Sequence, residues 1–131
     1  MELTISKNSG IREIKKQFNR CFPFLKVEFY VYNRSAIEGS HITDEPYYGL
    51  YLAETSDFFK EGILSFSPTT TVAELKLQFQ VELGLVAKIF RKSGAVWVDT
   101  WQTSHLTLGR QNSMGAASSR PMGLNRYTLL L

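Results

Sequence analysis

The chain has a single cysteine, Cys21, among its 131 residues. It therefore has no internal disulfide and no cysteine-rich metal site. No apolar run is long enough to cross a bilayer, and the first residues lack the apolar stretch of a secretion signal. We accordingly expect a cytoplasmic protein with no membrane partner. Because 44% of the residues are hydrophobic and 21% charged, we expect one folded domain over residues 1–131.

Acidic residues are absent after Asp99, although the net charge is only +3. Six of the twelve acidic residues fall between positions 38 and 61, whereas the first 26 residues carry six cations. This segregation predicts one of two arrangements. Either the acidic segment lies across a basic helix, or the basic surface binds an anionic partner.

Motifs for catalysis are also missing. There is no nucleophile elbow, dinucleotide fingerprint or pair of carboxylates at a useful spacing. His41 lies near Asp44 and Glu45 without matching a metal-ligand pattern, and His105 has no carboxylate near it in the sequence. We therefore predict no catalytic residue, no metal and no cofactor. An enzyme whose site forms from residues distant in sequence remains an alternative.

The chain does contain an internal repeat. Residues 6–22 align with residues 67–83 at a constant offset of 61, which pairs Glu13 with Glu74 and Phe18 with Phe79. Apolar residues at helical spacing follow a short alternating stretch in both copies, so each copy predicts a strand, a helix and a returning strand. Thr71 and Glu74 form a capping box at the start of the second helix.

The repeat sets the predicted fold. Two β-α-β units favour an α+β fold with one antiparallel sheet and both helices on one face, which is a decorated ferredoxin-like arrangement. A β-grasp-like sheet is the alternative. The predicted segments are repeat 1 (about 1–32), an insertion (about 33–61), repeat 2 plus a hairpin (about 62–101) and a C-terminal segment (102–131).

The insertion and the C-terminal segment are each predicted to contain further secondary structure. Residues 47–52 of the insertion read as a possible extra strand. In the C-terminal segment, residues 106–112 read as a short helix, and residues 113–125, rich in Gly, Ala and Ser, read as loop or disorder.

The repeats differ on one helical stripe. Arg12, Lys16 and Arg20 lie at i, i+4 and i+8 of the first helix, and their counterparts are Ala73, Leu77 and Val81. The basic stripe is either a solvated helix face or a surface for nucleic acid or another polyanion. The apolar stripe predicts a cover, for which the aromatic middle segment, the C-terminal tail and a second copy are candidates.

Aromatic residues supply further candidate contacts. Tyr30 and Tyr32 on the strand after the first helix are candidate stacking platforms for bases. Trp97 and Trp101 are four residues apart, and we expect at least one in the core and Trp101 at a partner interface. The favoured function is a non-catalytic module that binds a protein partner or itself.

The hairpin and the segment after it carry a resemblance. This part of the chain resembles a family of small uncharacterised bacterial proteins. The residues that carry the resemblance are Phe90-Arg91-Lys92-Ser93-Gly94 with Val96-Trp97, then Thr107-Leu108 and Gln111-Asn112. The first helix and its Phe22-Pro23-Phe24-Leu25 exit are also similar. The resemblance implies one compact domain and no particular activity.

Overall fold

The computed structural model describes residues 1–35 and 39–119, and in these ranges the chain forms three helices and six strands. The α+β class expected from the sequence is confirmed. None of these helices has the length and apolarity needed to span a membrane. The elements are β1 (Glu2–Ile5), α1 (Ile11–Cys21), β2 (Leu25–Ser35), β3 (Gly39–Pro46), β4 (Gly62–Ser65), α2 (Val72–Leu83), β5 (Val86–Ser93), β6 (Val96–Asp99) and α3 (Leu108–Ser118), with 3₁₀ turns at Leu52–Thr55 and Trp101–Thr103.

Within the described ranges, the strands pair in two sheets instead of the single sheet that was expected. β1 pairs with β4, and the other four strands follow the order β3-β2-β5-β6, all antiparallel. A ferredoxin-like sheet would join β1 and β4 to the other repeat strands, so the pairing differs from that prediction and from the β-grasp-like alternative. In the four-residue strands β1 and β4 only alternate residues are buried, so this ribbon covers the core with one face.

Both repeat helices bury the stripe that the sequence predicts. Ile11, Ile14 and Phe18 are buried on α1, as Val72, Leu75 and Phe79 are on α2. The Phe18 ring lies 5.9 Å from Phe66, and the Phe79 ring meets Phe29 edge-on at 5.4 Å. One hydrophobic cluster joins these residues to both sheets and to Leu108 of α3. The two helices therefore occupy matching surroundings in a shared core.

The two helices start differently, and a glycine ends α2. Thr71 Oγ1 accepts a hydrogen bond from Glu74 N at 3.1 Å, and the Glu74 carboxylate returns toward Thr71 N at 3.4 Å. Gly10 at the start of α1 has no side chain to do this. Gly84 ends α2 with φ +65°, and a Cβ there would collide with the carbonyl of Phe58. Only glycine fits this position.

Correspondence between the two halves extends beyond the sequence repeat. Ile11 N donates to Leu50 O at 3.0 Å, and Val72 N donates to Leu106 O at 3.1 Å. Strand β3 flanks β2 as β6 flanks β5. The segment 33–61, predicted as an insertion, therefore contains the counterparts of the second hairpin strand and of the start of α3.

Residues 47–52, predicted as an extra strand, do not form one. The strand of this region is β3, which ends at Pro46. Tyr47 N donates to Phe29 O at 2.8 Å, and the Tyr47 side chain packs on the core, so the chain leaves the sheet here. The 3₁₀ turn Leu52–Thr55 follows.

Helix α3 is longer than predicted. It runs to Ser118, whereas the sequence predicts helix only over 106–112 and loop or disorder from 113. The small residues that suggested a loop allow close packing instead, since a Cβ on Gly115 would lie 2.8 Å from Phe24 Cβ. Asn112 Oδ1 also accepts from Phe24 N at 2.8 Å. The remainder of the predicted loop, residues 120–125, lies outside the described residues.

Candidate functional site

Helix α1 lies along an open edge of β2. Strand β3 pairs with β2 only from Tyr30 onward, whereas residues 25–30 pair with β5 on the other side. Asn19 of α1 donates through Nδ2 to Leu25 O at 2.8 Å and to Pro23 O at 3.2 Å. Side chains of α1 therefore reach the outer face of the four-stranded sheet, opposite the core.

A basic groove of about 290 Å³ lies between α1 and β2. We use "basic groove" for the space lined by Arg12, Lys15, Lys16, Asn19 and Lys26. Four of these five side chains are cationic, and like charges repel at this proximity. Such a cluster favours the presence of an anion.

Glu28 supplies one such anion from within the fold. Its side chain is only 6% exposed; Oε1 lies 2.8 Å from Lys15 Nζ and 3.7 Å from Lys26 Nζ. Oε2 is buried and has no hydrogen-bond partner among the described residues. A buried carboxylate requires cations beside it, so Lys15 and Lys26 support the fold as well as line the groove. None of the ion pairs within 1–35 and 39–119 uses Arg12 or Lys16.

A second groove of about 550 Å³ adjoins the first. We call it the aromatic groove; its lining includes Tyr48, Leu50 and Tyr51 and shares Arg12 and Lys16 with the basic groove. Tyr48 is 77% exposed, and Lys15 Nζ lies 5.9 Å from the centre of its ring. Arg12 and Lys16 thus form a ridge with cations on one side and exposed rings on the other.

The basic stripe predicted from the sequence is only partly brought into this site. Arg12 and Lys16 line both grooves, whereas Arg20 is exposed and lines neither. The ion pairs of the described chain do not join α1 to the acidic segment 39–61. The segment does lie beside α1 through Tyr48, Leu50 and Tyr51, but its described acidic side chains form no ion pair with the basic stripe.

Tyr30 is not the exposed stacking platform that the sequence suggests. It is 2% exposed, and Lys88 Nζ lies 4.8 Å from its ring centre. Burial, together with the nearby Glu28, Asp99 and Tyr48, raises the pKa of its hydroxyl to about 12. Lys88 belongs to β5, so the strand paired with β2 contributes to covering Tyr30, and its ring is not free to stack on a base.

The other predicted aromatic residues lie outside both grooves. Tyr32 is half-buried against Phe58, with 4.6 Å between ring centres. Trp101, 61% exposed, stands in the 3₁₀ turn after β6. Trp97 is half-buried on the outer sheet face, with Lys26 Nζ and Lys92 Nζ at 5.2 and 5.1 Å from its ring centre. The sequence predicts that at least one of the two tryptophans lies in the core. Neither tryptophan belongs to the core.

Helix α2 leaves the apolar stripe exposed where a cover was expected. Leu77 and Val81 are 60% and 62% exposed, so the described part of the middle segment does not cover them. A groove of about 280 Å³ borders the stripe, lined by Ala73, Lys76, Leu77, Gln80, Leu85, Val86, Ala87 and Ser104. The candidate tail cover is residues 113–131. Its described part forms the end of α3, and residues 120–131 lie outside the described residues.

The residues considered for catalysis are not gathered into a site. His41 on β3 and His105 before α3 are both exposed. In the described part of the chain, no three His, Cys, Asp or Glu side chains come close enough to hold a metal ion. Cys21 packs half-buried against the core, as its position at the end of α1 suggests.

Comparison of the chain with protein-family models, curated proteins and solved structures gives no match. Any function must therefore be inferred from the geometry.

Sequence reasoning missed four residues of the site: Lys15, Lys26, Glu28 and Tyr48. Lys26 and Glu28 carried a detectable signal, because two opposite charges sit two residues apart on one face of a predicted strand. Tyr48 carried none, since its approach to α1 depends on the bridge between Gly10 and Tyr51.

Proposed function

We propose that the protein binds an anionic partner in the basic groove and performs no chemistry there. The decisive observation is the convergence of four cations from α1 and β2 on one groove of about 290 Å³. Glu28 offsets the charge of Lys15 and Lys26 only. Arg12 and Lys16 retain their charge for a ligand, and phosphate groups are the biological anions that such clusters usually bind.

This proposal takes up the polyanion alternative from the sequence and restricts the contact surface to fewer residues of α1. The contact surface is one side of α1 with Lys26, not the whole stripe that ends at Arg20. The site combines helix and sheet side chains, so it differs from a solvated helix face. The proposal predicts an affinity that depends on these particular residues and on salt.

The test is binding of a fluorescently labelled polyanion, measured by anisotropy over a range of salt concentrations. For the unaltered protein, the affinity should fall steeply as salt rises. Arg12→Glu with Lys16→Glu should weaken binding at least tenfold, because two attractive contacts become repulsive. Arg110→Glu with Arg20→Glu is the matched control, since it changes the net charge equally and both residues are exposed cations that line neither groove.

Two results would contradict the proposal. The first is equal loss of affinity in this control variant, which would mean that net charge alone controls binding. The second is no binding at low salt to polyphosphate or to any nucleic acid.

The second candidate function is a protein-interaction or oligomerising module, which the sequence favours. The exposed Leu77 and Val81 on α2 support it, because apolar residues adjacent on one helix face often mark a contact surface. One protein can have both functions, since the basic groove lies beside α1 and the exposed apolar residues lie on α2. A cytoplasmic location is part of the same proposal, and an enzyme is the least supported alternative.

We also propose that the two halves descend from one duplicated unit. The support is the offset of 61 together with matching backbone hydrogen bonds at the starts of α1 and α2. The family resemblance of the hairpin and of Gln111-Asn112 stays a prediction. In the structure Gln111 is buried, accepts from Arg91 Nη1 at 2.7 Å and donates to Thr103 O at 2.8 Å. That segment therefore anchors α3.

A further inference from the structure

The basic groove offers almost only hydrogen-bond donors. Arginine and lysine side chains donate and do not accept. Asn19 Nδ2 is bonded to backbone carbonyls, so its Oδ1 is the one acceptor that the lining side chains offer, and of the two Glu28 oxygens one is paired with lysines and the other is buried. A peptide backbone would leave most of its N–H groups without acceptors here. A phosphodiester backbone presents only acceptors and matches the groove.

The aromatic groove adds a flat, exposed surface beside those donors. Tyr48 is 77% exposed, and Lys15 Nζ lies 5.9 Å from its ring centre. A base can stack on such a ring while its phosphate contacts a neighbouring cation. A duplex keeps its bases stacked on one another, so only an unpaired base has a free face for Tyr48.

The cationic surface also continues away from α1. Lys26 lines the basic groove and lies 5.2 Å from the ring of Trp97, and Lys92 lies 5.1 Å from the same ring. Cations and rings therefore extend from Tyr48 across the outer sheet face to Trp97 on β6, with Glu28 between Lys15 and Lys26. A strand of several nucleotides can contact more of this surface than a single small anion can.

We infer that the anionic partner is single-stranded nucleic acid, with phosphates in the basic groove and an unpaired base on Tyr48. The inference rests on the proposed anion-binding role and names its ligand. Tyr48 contributes affinity for bases, while Arg12 and Lys16 contribute affinity for any polyanion. The two contributions are separable by experiment.

The test compares two labelled strands of about 12 nucleotides, one with bases and one abasic, at about 50 mM salt. Both carry the same phosphates, so any difference in affinity comes from the bases. We expect the strand with bases to bind the full-length protein about tenfold more tightly. Tyr48→Ala should remove this difference, and Tyr48→Phe should keep it because the ring remains.

Trp101→Ala is the matched control, since Trp101 is an exposed aromatic residue that lines neither groove. It should leave the difference unchanged. Tyr48 is exposed, so its replacement should not disturb folding, which circular dichroism will check.

The other outcomes separate this inference from the proposed function. If both strands bind equally and binding still needs Arg12 and Lys16, the nucleic-acid inference is overturned while anion binding stands. Tighter binding of an acidic phosphopeptide than of either strand would also overturn it. If neither strand nor polyphosphate binds, both proposals fail.

Discussion

The grooves beside α1 and α2 have nearly the same size, about 290 and 280 Å³, and different chemistry. Positions 12, 15, 16 and 19 line the first, and positions 73, 76, 77 and 80, each 61 residues later, line the second. At these positions two cations, Arg12 and Lys16, are replaced by Ala73 and Leu77. The comparison shows that two grooves of nearly equal size can be lined by different residues, because the stripe that fixes each helix against the core lies on its buried side.

The largest expected effect concerns Tyr30. In the strands the two halves correspond at an offset of 60, since Phe29 O accepts from Tyr47 N as Ile89 O accepts from Thr100 N, so Tyr30 on β2 corresponds to Phe90 on β5. Below pH 10, the ordinary pKa of tyrosine, its hydroxyl is neutral whether the chain is folded or unfolded. Because the folded-state pKa is about 12, this group's contribution to stability is fully present below pH 10 and is lost as the pH rises toward 12. The loss should be about 2–3 kcal/mol in the free energy of unfolding.

Urea denaturation at pH 8 and at pH 11–12 measures this loss. Tyr30→Phe gives β2 the same aromatic residue as β5, so that variant should lose less stability over the same interval. An identical pH dependence in the two proteins would show that Tyr30 is not the group responsible.

The next effect comes from exchanging the lining of the two grooves. Arg12→Ala with Lys16→Leu gives the first groove the residues of the second, and polyanion affinity should fall at least tenfold. The reciprocal change, Ala73→Arg with Leu77→Lys, should restore part of that affinity when combined with it. Anisotropy with one labelled polyanion measures both.

The reciprocal variant also tests how far the grooves are equivalent. The α2 groove has Val86 where the first has Lys26, so recovery should be incomplete. No recovery at all would mean that Lys26 or Tyr48 is indispensable for binding, and that a groove of similar size does not bind a polyanion without them.

The smallest effect concerns the exposed stripe on α2. If Leu77 and Val81 form a contact between copies, Leu77→Glu with Val81→Glu should reduce self-association without a large change in stability, because both side chains are already exposed. Light scattering over a range of protein concentrations measures the mass. Lys16→Glu with Arg20→Glu on α1 is the matched control, and a protein that is monomeric before any change would rule out this role.

The sequence predicts local structure well and long-range pairing poorly. The buried stripes of α1 and α2, the Thr71 cap and the stop at Gly84 follow from contacts within one helix or one turn, so their patterns are visible in the chain. The pairing of β1 with β4 in a separate sheet depends on contacts about 60 residues apart and leaves no local signal. The same holds for the second half of α3, where Gly115 lies directly against Phe24, 91 residues earlier in the chain.

The candidate site shows the same division. Arg12 and Lys16 are recognisable from helical spacing alone. Lys26, Glu28 and Tyr48 join them only because α1 lies along the open edge of β2, which β3 reaches no earlier than Tyr30. Tyr30 is one of the residues for which the sequence prediction is wrong, because its surroundings include Lys88 of β5, which lies 58 residues further along the chain.

Glu28 already places a negative charge beside the lysines of the basic groove, where it competes with any anionic ligand. Its carboxylate lies 2.8 Å from Lys15 and 3.7 Å from Lys26. An ammonium group has three N–H donors, so a bound ligand would share these lysines with a charge already in place. The net gain on binding would then be smaller than four unengaged cations would provide. Release of the ligand is eased for the same reason, because the lysines keep a carboxylate beside them when the ligand leaves.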